Sequence, residues 1–336
     1  MPDKNSPKLP AVLGIGNALV DIMTVIENDL VLEKFNLPKG SMTLVDDDLS
    51  KKIYEATYYN QRNITTGGSA ANTIHALASL GGNCGYLGKI GDDKLGEIFR
   101  NEFERKSIKS HFFLSPKDTG RVMALVSADS ERTMATYLGA AAELLPGDLT
   151  RDIFEDYSYL YIEGYLVQNR ELIETAIKQA KSKRCKIALD LSSYNVVSAN
   201  LDFLKYLLEE YVDIIFANEE EAYAFTGKEP REALEELAGF CDIAIVKIGK
   251  EGSLIKSGSD FYFIHSISAN AIDTTGAGDA YSAGFFYGLT NGLTLQQCGD
   301  IAALVSGKVV EIMGAKIPEN SWPDLISEVS GIMEKQ

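Results

Sequence analysis

The chain has 336 residues, 45% of them hydrophobic, with 29 Gly and 9 Pro, ample for one large core or a core with a small appendage. Its 48 Asp and Glu outweigh 32 Lys and Arg, for a formal net charge of −16. No basic cluster runs along any predicted helix, which argues against nucleic acid as a partner. Cys84, Cys185, Cys241 and Cys298 are scattered with no C-x-x-C pair and read as buried thiols, not disulfides or zinc ligands. The polar N-terminus MPDKNSPKLP has no apolar leader region and no run of 18 apolar residues occurs, so the expected location is the cytoplasm, with no membrane contact.

Residues 11–16 form the first strand-like run. Gly14-Ile-Gly-Asn-Ala-Leu19 carries two glycines of a dinucleotide fingerprint, but Leu19 replaces the third, which makes the NAD signal weak. Asp21 follows as an isolated carboxylate, suited to capping a turn or to binding two sugar hydroxyls. Residues 21–26 and 41–45 read as β, with turn chemistry at 37–40. Thr66-Gly-Gly-Ser-Ala-Ala-Asn72 opens a predicted helix over 69–80 that Gly81 ends. Ser69 as N-cap explains part of this loop. It does not explain the consecutive Gly67 and Gly68, or Asn72 one turn in, where an amide would face a polyol.

Residues 121–127 and 133–138 again read as β around a turn at 128–131. The segments at about 21–45 and 119–138 are expected to form a small antiparallel sheet acting as a lid, the alternative being strands that extend the main sheet. Arg132, just after the lid turn, suits either a surface ion pair or a phosphate clamp. Further on, strand-like runs at 157–162, 186–191, 213–217 and 243–248 alternate with amphipathic segments at 170–182, 201–211 and 231–240. This alternation predicts an α/β fold: one domain over 1–336, with a mostly parallel sheet covered by helices on both faces.

Asn218-Glu-Glu-Glu221 has the form of a capping box; its functional reading places Glu221 at the sheet edge, holding water around Mg²⁺. Lys247-Ile-Gly-Lys-Glu-Gly252 reads as a two-glycine, hairpin-like turn or as a loop that contacts nucleotide phosphates through Lys247 or Lys250. No Gly-Lys pair is followed by Ser or Thr, so a Walker A loop is absent. His75, His111 and His265 show no metal or triad spacing. The most informative run is 273–285. There a glycine-rich turn precedes Asp279, which directly precedes a helix expected to start near Ala280. Free N–H groups at a helix N-terminus make an anion site, and a carboxylate inside one suggests a base for an attacking hydroxyl.

Taken together, Asp273-Thr-Thr-Gly-Ala-Gly-Asp279, Thr66-Gly-Gly-Ser-Ala-Ala-Asn72, Gly16-Asn-Ala-Leu-Val-Asp21 and Glu131-Arg-Thr-Met-Ala-Thr-Tyr-Leu-Gly-Ala-Ala141 resemble the ribokinase/PfkB family, most closely its bacterial adenosine-kinase-like branch. The resemblance runs from Ala11 to about Ala315. It implies a ribokinase-like three-layer fold and an ATP-dependent kinase of a ribosyl-type alcohol, using Mg²⁺ and a monovalent cation such as K⁺. Adenosine is the first expected acceptor and a free sugar such as ribose or fructose the second. A non-catalytic nucleotide-binding regulator is the alternative of a different class, and both monomer and homodimer stay open.

By this resemblance Asp279 is the catalytic base, and the N–H groups of Gly276, Ala277 and Gly278 form the anion hole, assisted by Arg132. Asp21, Gly67, Gly68 and Asn72 hold the acceptor. Asn218 and Glu221 organise Mg²⁺ and phosphate, Lys247, Gly249 and Gly252 line the nucleotide loop, and Asp273 helps bind K⁺. Two positions depart from the family pattern: Lys247 stands where Thr is common, and Ala303 where some members have an Asn near the adenine.

Overall fold

The structure, a computed structural model, describes residues 11–129 and 131–334; the polar N-terminal segment and Ser130 of the lid turn lie outside the described residues. The larger of two sheets has nine strands, in the order Asp260–Ile264, Ser253–Ser257, Ile243–Lys247, Ile214–Asn218, Lys186–Asp190, Tyr159–Glu163, Val12–Ile15, Cys84–Gly91 and Lys109–Ser115. The seven from Ile243–Lys247 onward are mutually parallel, and the first two fold back antiparallel.

Side chains alternate across this sheet, and both faces are covered. Ile214 and Phe216 enter one core cluster, while Ile215 and Ala217 enter the other. Residues from helices Ser69–Ser79, Ala277–Thr290 and Leu295–Val309 complete the first cluster. Those from Arg170–Ser182, Tyr194–Glu210 and Pro230–Leu237 complete the second. Burial on both faces is why these strands read as continuous apolar runs. The result is the expected three-layer α/β fold. The helix expected at 201–211 begins earlier, at Tyr194, where Ser193 caps it; a non-helical Asn200 (φ −130°) interrupts it just where the sequence pattern faded.

The smaller sheet has the order Met42–Leu44, Arg132–Tyr137, Gly120–Val126, Leu19–Val25 and Gln61–Gly67. Two of its pairings are antiparallel and two parallel, so the expected antiparallel lid is corrected to a mixed sheet. Only strands joined by a tight hairpin are forced antiparallel. Leu19–Val25 and Gly120–Val126 are separated in sequence by two strands of the main sheet and pair in parallel. Strand Gln61–Gly67 escaped the sequence reading. One face of the lid is core, with Val20, Ile22, Met123, Leu125 and Ala135, and the other turns Asp21, Met23, Ala124, Arg132 and Met134 to a cavity. Cys84, Cys185 and Cys298 are buried, Cys241 is half-buried, and all four are free. Among the described residues, no helix is long and apolar enough to cross a membrane.

Candidate active site

Four adjacent parallel strands end on polar residues: Glu163, Asp190, Asn218 and Lys247. Together they form the floor of a cavity of about 1570 Å³, roofed by the lid. In open α/β sheets ligands bind at this carboxyl edge. The volume exceeds the roughly 300–1,000 Å³ typical of one small ligand, leaving room for two side by side.

The turn before helix Ala277–Thr290 forms one end of this cavity. Gly276 is the N-cap, with φ +77°, and a Cβ there would collide with Ala315. Only glycine adopts this conformation at no cost, and only glycine fits against the neighbouring segment. The helix starts three residues earlier than expected, so Asp279 lies in its first turn. The Ala277 N–H bends back to Thr274 O (3.2 Å). At the N-cap and in the first turn, the N–H groups with no acceptor among the described residues are those of Gly276, Gly278 and Asp279. Lys247 Nζ lies about 3.1 Å from where a Cβ on Gly278 would stand, which puts a fixed cation beside these donors.

The Asp279 carboxylate is held from the opposite wall. Ser69 Oγ donates to Oδ1 (2.7 Å) and Asn72 Nδ2 to Oδ2 (3.0 Å). Ser69 is thus not the N-cap expected of it; Gly68, at φ +97°, takes that position without a side-chain bond. Burial pushes Asp279 up to about 6, against the lowering effect of these two donors. At neutral pH it is ionised and more basic than an ordinary aspartate.

Across the cavity Asp21 accepts no hydrogen bond among the described residues, and burial pushes it up to about 6, opposed by Lys316 and Arg132. A Cβ on Gly67 would collide with both of its carboxylate oxygens, so the glycine keeps Asp21 clear. Asn72 Oδ1 is buried with no partner, its amide nitrogen already given to Asp279. Buried polar atoms are seldom left unpaired, and Asn72 Oδ1, with the half-buried Asp21 carboxylate lining the same cavity, marks a place for ligand donors.

Asn218 and Glu221 form a complete capping box: Asn218 N donates to Glu221 Oε2 (2.8 Å), Asn218 Nδ2 to Oε1 (2.9 Å), and Glu221 N to Asn218 Oδ1 (2.8 Å). Both residues also line the cavity, so the capping and functional readings coexist. Burial, then the nearby charge of Asp190, push Glu221 up to about 7. Gly249 and Gly252 flank the turn after Lys247 and line the same cavity, as does Ala303.

Arg132 reaches from the lid to the anion turn, where Nη2 pairs with Asp273 Oδ2 (2.8 Å) and Nη1 donates to Thr275 Oγ1 (3.0 Å). Asp273 Oδ1 accepts Thr275 N and Oγ1, and Oδ2 also accepts Gly314 N. With Thr275, Gly314 and Arg132 all directed at its side chain, Asp273 braces the anion turn. Arg132 is seated as a tie between the lid and the anion turn.

Sequence reasoning missed three groups here. Asp190 pairs with Lys247 (3.2 Å). Glu163, pushed up to about 7 by burial, accepts Asn17 Nδ2 (2.7 Å), Asn17 N (3.3 Å) and Ala70 N (3.0 Å), anchoring the start of helix Ser69–Ser79. Lys316 lies behind Asp21. A polar residue ending an apolar strand was the available signal for Asp190 and Glu163; Lys316 offered none.

A family model for pfkB family carbohydrate kinases matches residues 42–322, and the chain belongs to that family. It resembles the crystal structure of a probable sugar kinase from Rhizobium etli with a TM-score of 0.86 and 33% identity, covering 97% of this chain and 100% of that one. The adenosine kinase from Sinorhizobium meliloti gives a TM-score of 0.84 and 34% identity, covering 97% and 99%. The adenosine kinase of Saccharomyces cerevisiae is 29% identical over 90% of this chain and 96% of its own length.

Proposed function

We propose that the protein is an ATP-dependent kinase that phosphorylates the primary hydroxyl of a ribosyl-type acceptor, with adenosine the first candidate. The observation that carries this reading is the placement of Asp279. It is a basic carboxylate held by Ser69 and Asn72, directly beside free helix N–H groups, with unpartnered Asp21 and Asn72 Oδ1 facing the same space.

In this scheme two acceptor hydroxyls donate to Asp21, one accompanied by a contact to Asn72 Oδ1. That seats the CH₂OH group against Asp279, which takes the hydroxyl proton as the oxygen bonds to the γ-phosphorus and the bond to the ADP oxygen breaks. Charge on the transferring group spreads over its equatorial oxygens, where fixed donors stabilise it without reorganising. The N–H groups of Gly276, Gly278 and Asp279 and the Lys247 ammonium supply them. Arg132 holds the lid over the reaction and keeps water out.

Asp190 raises the pKa of both Glu221 and Asp279, and Lys247 is the cation that opposes all three carboxylates. This surplus of negative charge suits a divalent cation, and Glu221 with Asp190 would hold Mg²⁺ through water. When bound, the ion neutralises charge on the β- and γ-phosphates.

Adenosine is favoured over a free sugar by the apolar lid face. Leu19, Met23, Leu44, Val122, Met134 and Leu138 line the acceptor side and suit a planar base better than a second set of hydroxyls. The likeness to the Sinorhizobium meliloti and yeast adenosine kinases supports the same choice. A sugar acceptor is the second reading, supported by the likeness to the Rhizobium etli sugar kinase. A panel of adenosine, other nucleosides, ribose, fructose and keto-deoxy sugars, read by ADP release, decides between them. We expect adenosine to give the highest kcat/KM; turnover of sugars above every nucleoside would sink that choice.

A further inference from the structure

Behind Asp21 the fold buries a cation that phosphoryl transfer does not use. Lys316 follows helix Leu295–Val309, and its side chain reaches the cavity wall beside Asp21 and Thr66. Its ammonium donates to Thr66 Oγ1. Thr66 pairs with Val20 and Thr65 with Asp21, so the ammonium is tied to the strand that lies alongside Asp21.

The charged groups around it come from several elements. Asp21 faces it from strand Leu19–Val25, with Arg132 also acting on Asp21 from the lid. Helix Lys94–Arg105 and the residue after it contribute Glu102, Arg105 and Lys106. His75 faces it from helix Ser69–Ser79, and Glu319 binds Arg105 and Lys106. Of the two carboxylates that favour its charge, Glu102 is already committed to His75 (2.7 Å) and to Arg105 (2.8 and 3.0 Å). Asp21 has no donor at all among the described residues. Lys316 is thus a counter-charge to the one acceptor-side carboxylate left open.

We propose that Lys316 is a positioning residue for the acceptor: it keeps Asp21 ionised with both oxygens free, so that two neighbouring hydroxyls can donate to it. This rests on the reading of Asp21 as the acceptor's ligand. A carboxylate enclosed by apolar side chains protonates unless a cation lies near, and once protonated it gives up an acceptor position. A cation hydrogen-bonded directly to Asp21 would hold it charged but compete with the substrate. An ammonium anchored on Thr66 supplies the charge and leaves the oxygens open.

The two ionisations define a window. Asp21 is pushed up to about 6 by burial, opposed by Lys316. Lys316 is pushed down to about 8 by burial, opposed by Glu102 and Asp21. Both are charged between those values. Acceptor KM is therefore lowest between pH 6 and 8. It rises below that range as Asp21 takes a proton, and above it as Lys316 loses one.

The test is steady-state kinetics from pH 5.5 to 9.5 at saturating ATP and Mg²⁺, with adenosine or whichever acceptor the panel identifies, for wild type, Lys316→Met and Lys316→Arg. Lys316→Met is expected to raise acceptor KM about 10-fold at pH 7, the scale of one hydrogen bond to a charged group, with kcat and the KM for ATP within about threefold. Lys316→Arg is expected to keep the neutral-pH KM and to abolish the alkaline rise, because a guanidinium does not titrate there. An unchanged KM in Lys316→Met, or an alkaline limb in Lys316→Arg like that of wild type, overturns the proposal. If Lys316→Met does not fold, the Lys316→Arg profile decides alone. Asp21→Asn separates the layers: an unchanged acceptor KM there removes the premise, whereas a raised KM there with a normal one in Lys316→Met removes only the role of Lys316.

Discussion

The two ends of the cavity, proposed above as the transfer end and the acceptor end, are built on opposite plans. At the transfer end the charged side chains are already engaged: Asp279 with Ser69 and Asn72, Lys247 with Asp190, Asp273 with Arg132, and Glu221 with Asn218. At the acceptor end Asp21 and Asn72 Oδ1 have no partner among the described residues, and the cation serving Asp21 is bonded elsewhere. Stabilising a transition state requires donors fixed before the reaction, whereas recognising a hydroxyl requires acceptors left open until it arrives. Damage at the first end should therefore appear in kcat, and damage at the second in acceptor KM.

The largest effect should follow from Asp279→Asn. Removing a general base costs on the order of 10²–10⁴ in kcat, and both KM values should stay within a few-fold because Ser69 and Asn72 still frame the site. Rapid-quench single turnovers would separate this loss from slow product release. In wild type the base must be unprotonated. With its pKa raised to about 6, kcat should be flat above pH 7 and fall as pH drops through 6. A mutant with wild-type kcat would remove Asp279 from the mechanism and erase the contrast between the two ends.

Asp21→Asn comes next and should fall almost wholly on acceptor KM. Two hydrogen bonds to a charged acceptor become bonds to a neutral amide, a loss on the order of 10- to 100-fold. The same substitution should stabilise the unliganded protein. The folded pKa of about 6 lies above the ordinary carboxylate value, so the folded state holds a proton the unfolded chain has lost, and wild type loses stability as pH rises through 6. The asparagine does not titrate. Its advantage, on the order of 3 kcal/mol, should be absent below about pH 4 and fully developed above about pH 7. Melting curves at pH 4 and 7.5 measure it. A variant less stable than wild type at pH 7.5 would mean Asp21 is structural and not held open for a ligand.

The same contrast explains what was legible in the sequence. The proposed transfer end sits on contiguous motifs, because a turn, a helix start and a carboxylate must be covalent neighbours to act together; the turn at Gly276 and Gly278 and the carboxylate of Asp279 beside a helix start could be read directly as local structure. The strands of the main sheet were legible because burial on both faces leaves an unbroken apolar run. The lid was half-legible: its strands alternate correctly, but pairing direction depends on how the intervening main-sheet strands fold, which no local pattern encodes. Ser69 was read as a cap because Ser before an apolar helix usually is one, and its true partner is 210 residues away. Lys316 had no signal for the same reason. A lysine in a polar segment is ordinarily solvated, and only the return of the chain after helix Leu295–Val309 places it behind Asp21.

Ser69→Ala gives the smallest effect and the finest resolution. It removes one donor from Asp279 and leaves the Asn72 bond and the helix, whose N-cap is Gly68. The lost bond lowers the Asp279 pKa in wild type, so the variant's base should be stronger and its acid limb should move above pH 6. At pH 8, where Asp279 is ionised in both proteins, kcat should fall by no more than about threefold, since one net hydrogen bond is worth roughly 1 kcal/mol and Asn72 still orients the carboxylate. At pH 6 the deficit should be larger, because more of the variant's Asp279 carries a proton. A deficit constant across pH would mean that Ser69 merely shapes the loop. A growing deficit toward acid would mean that the acceptor-side helix tunes the base at the transfer end, making helix Ser69–Ser79 an element that belongs to both plans.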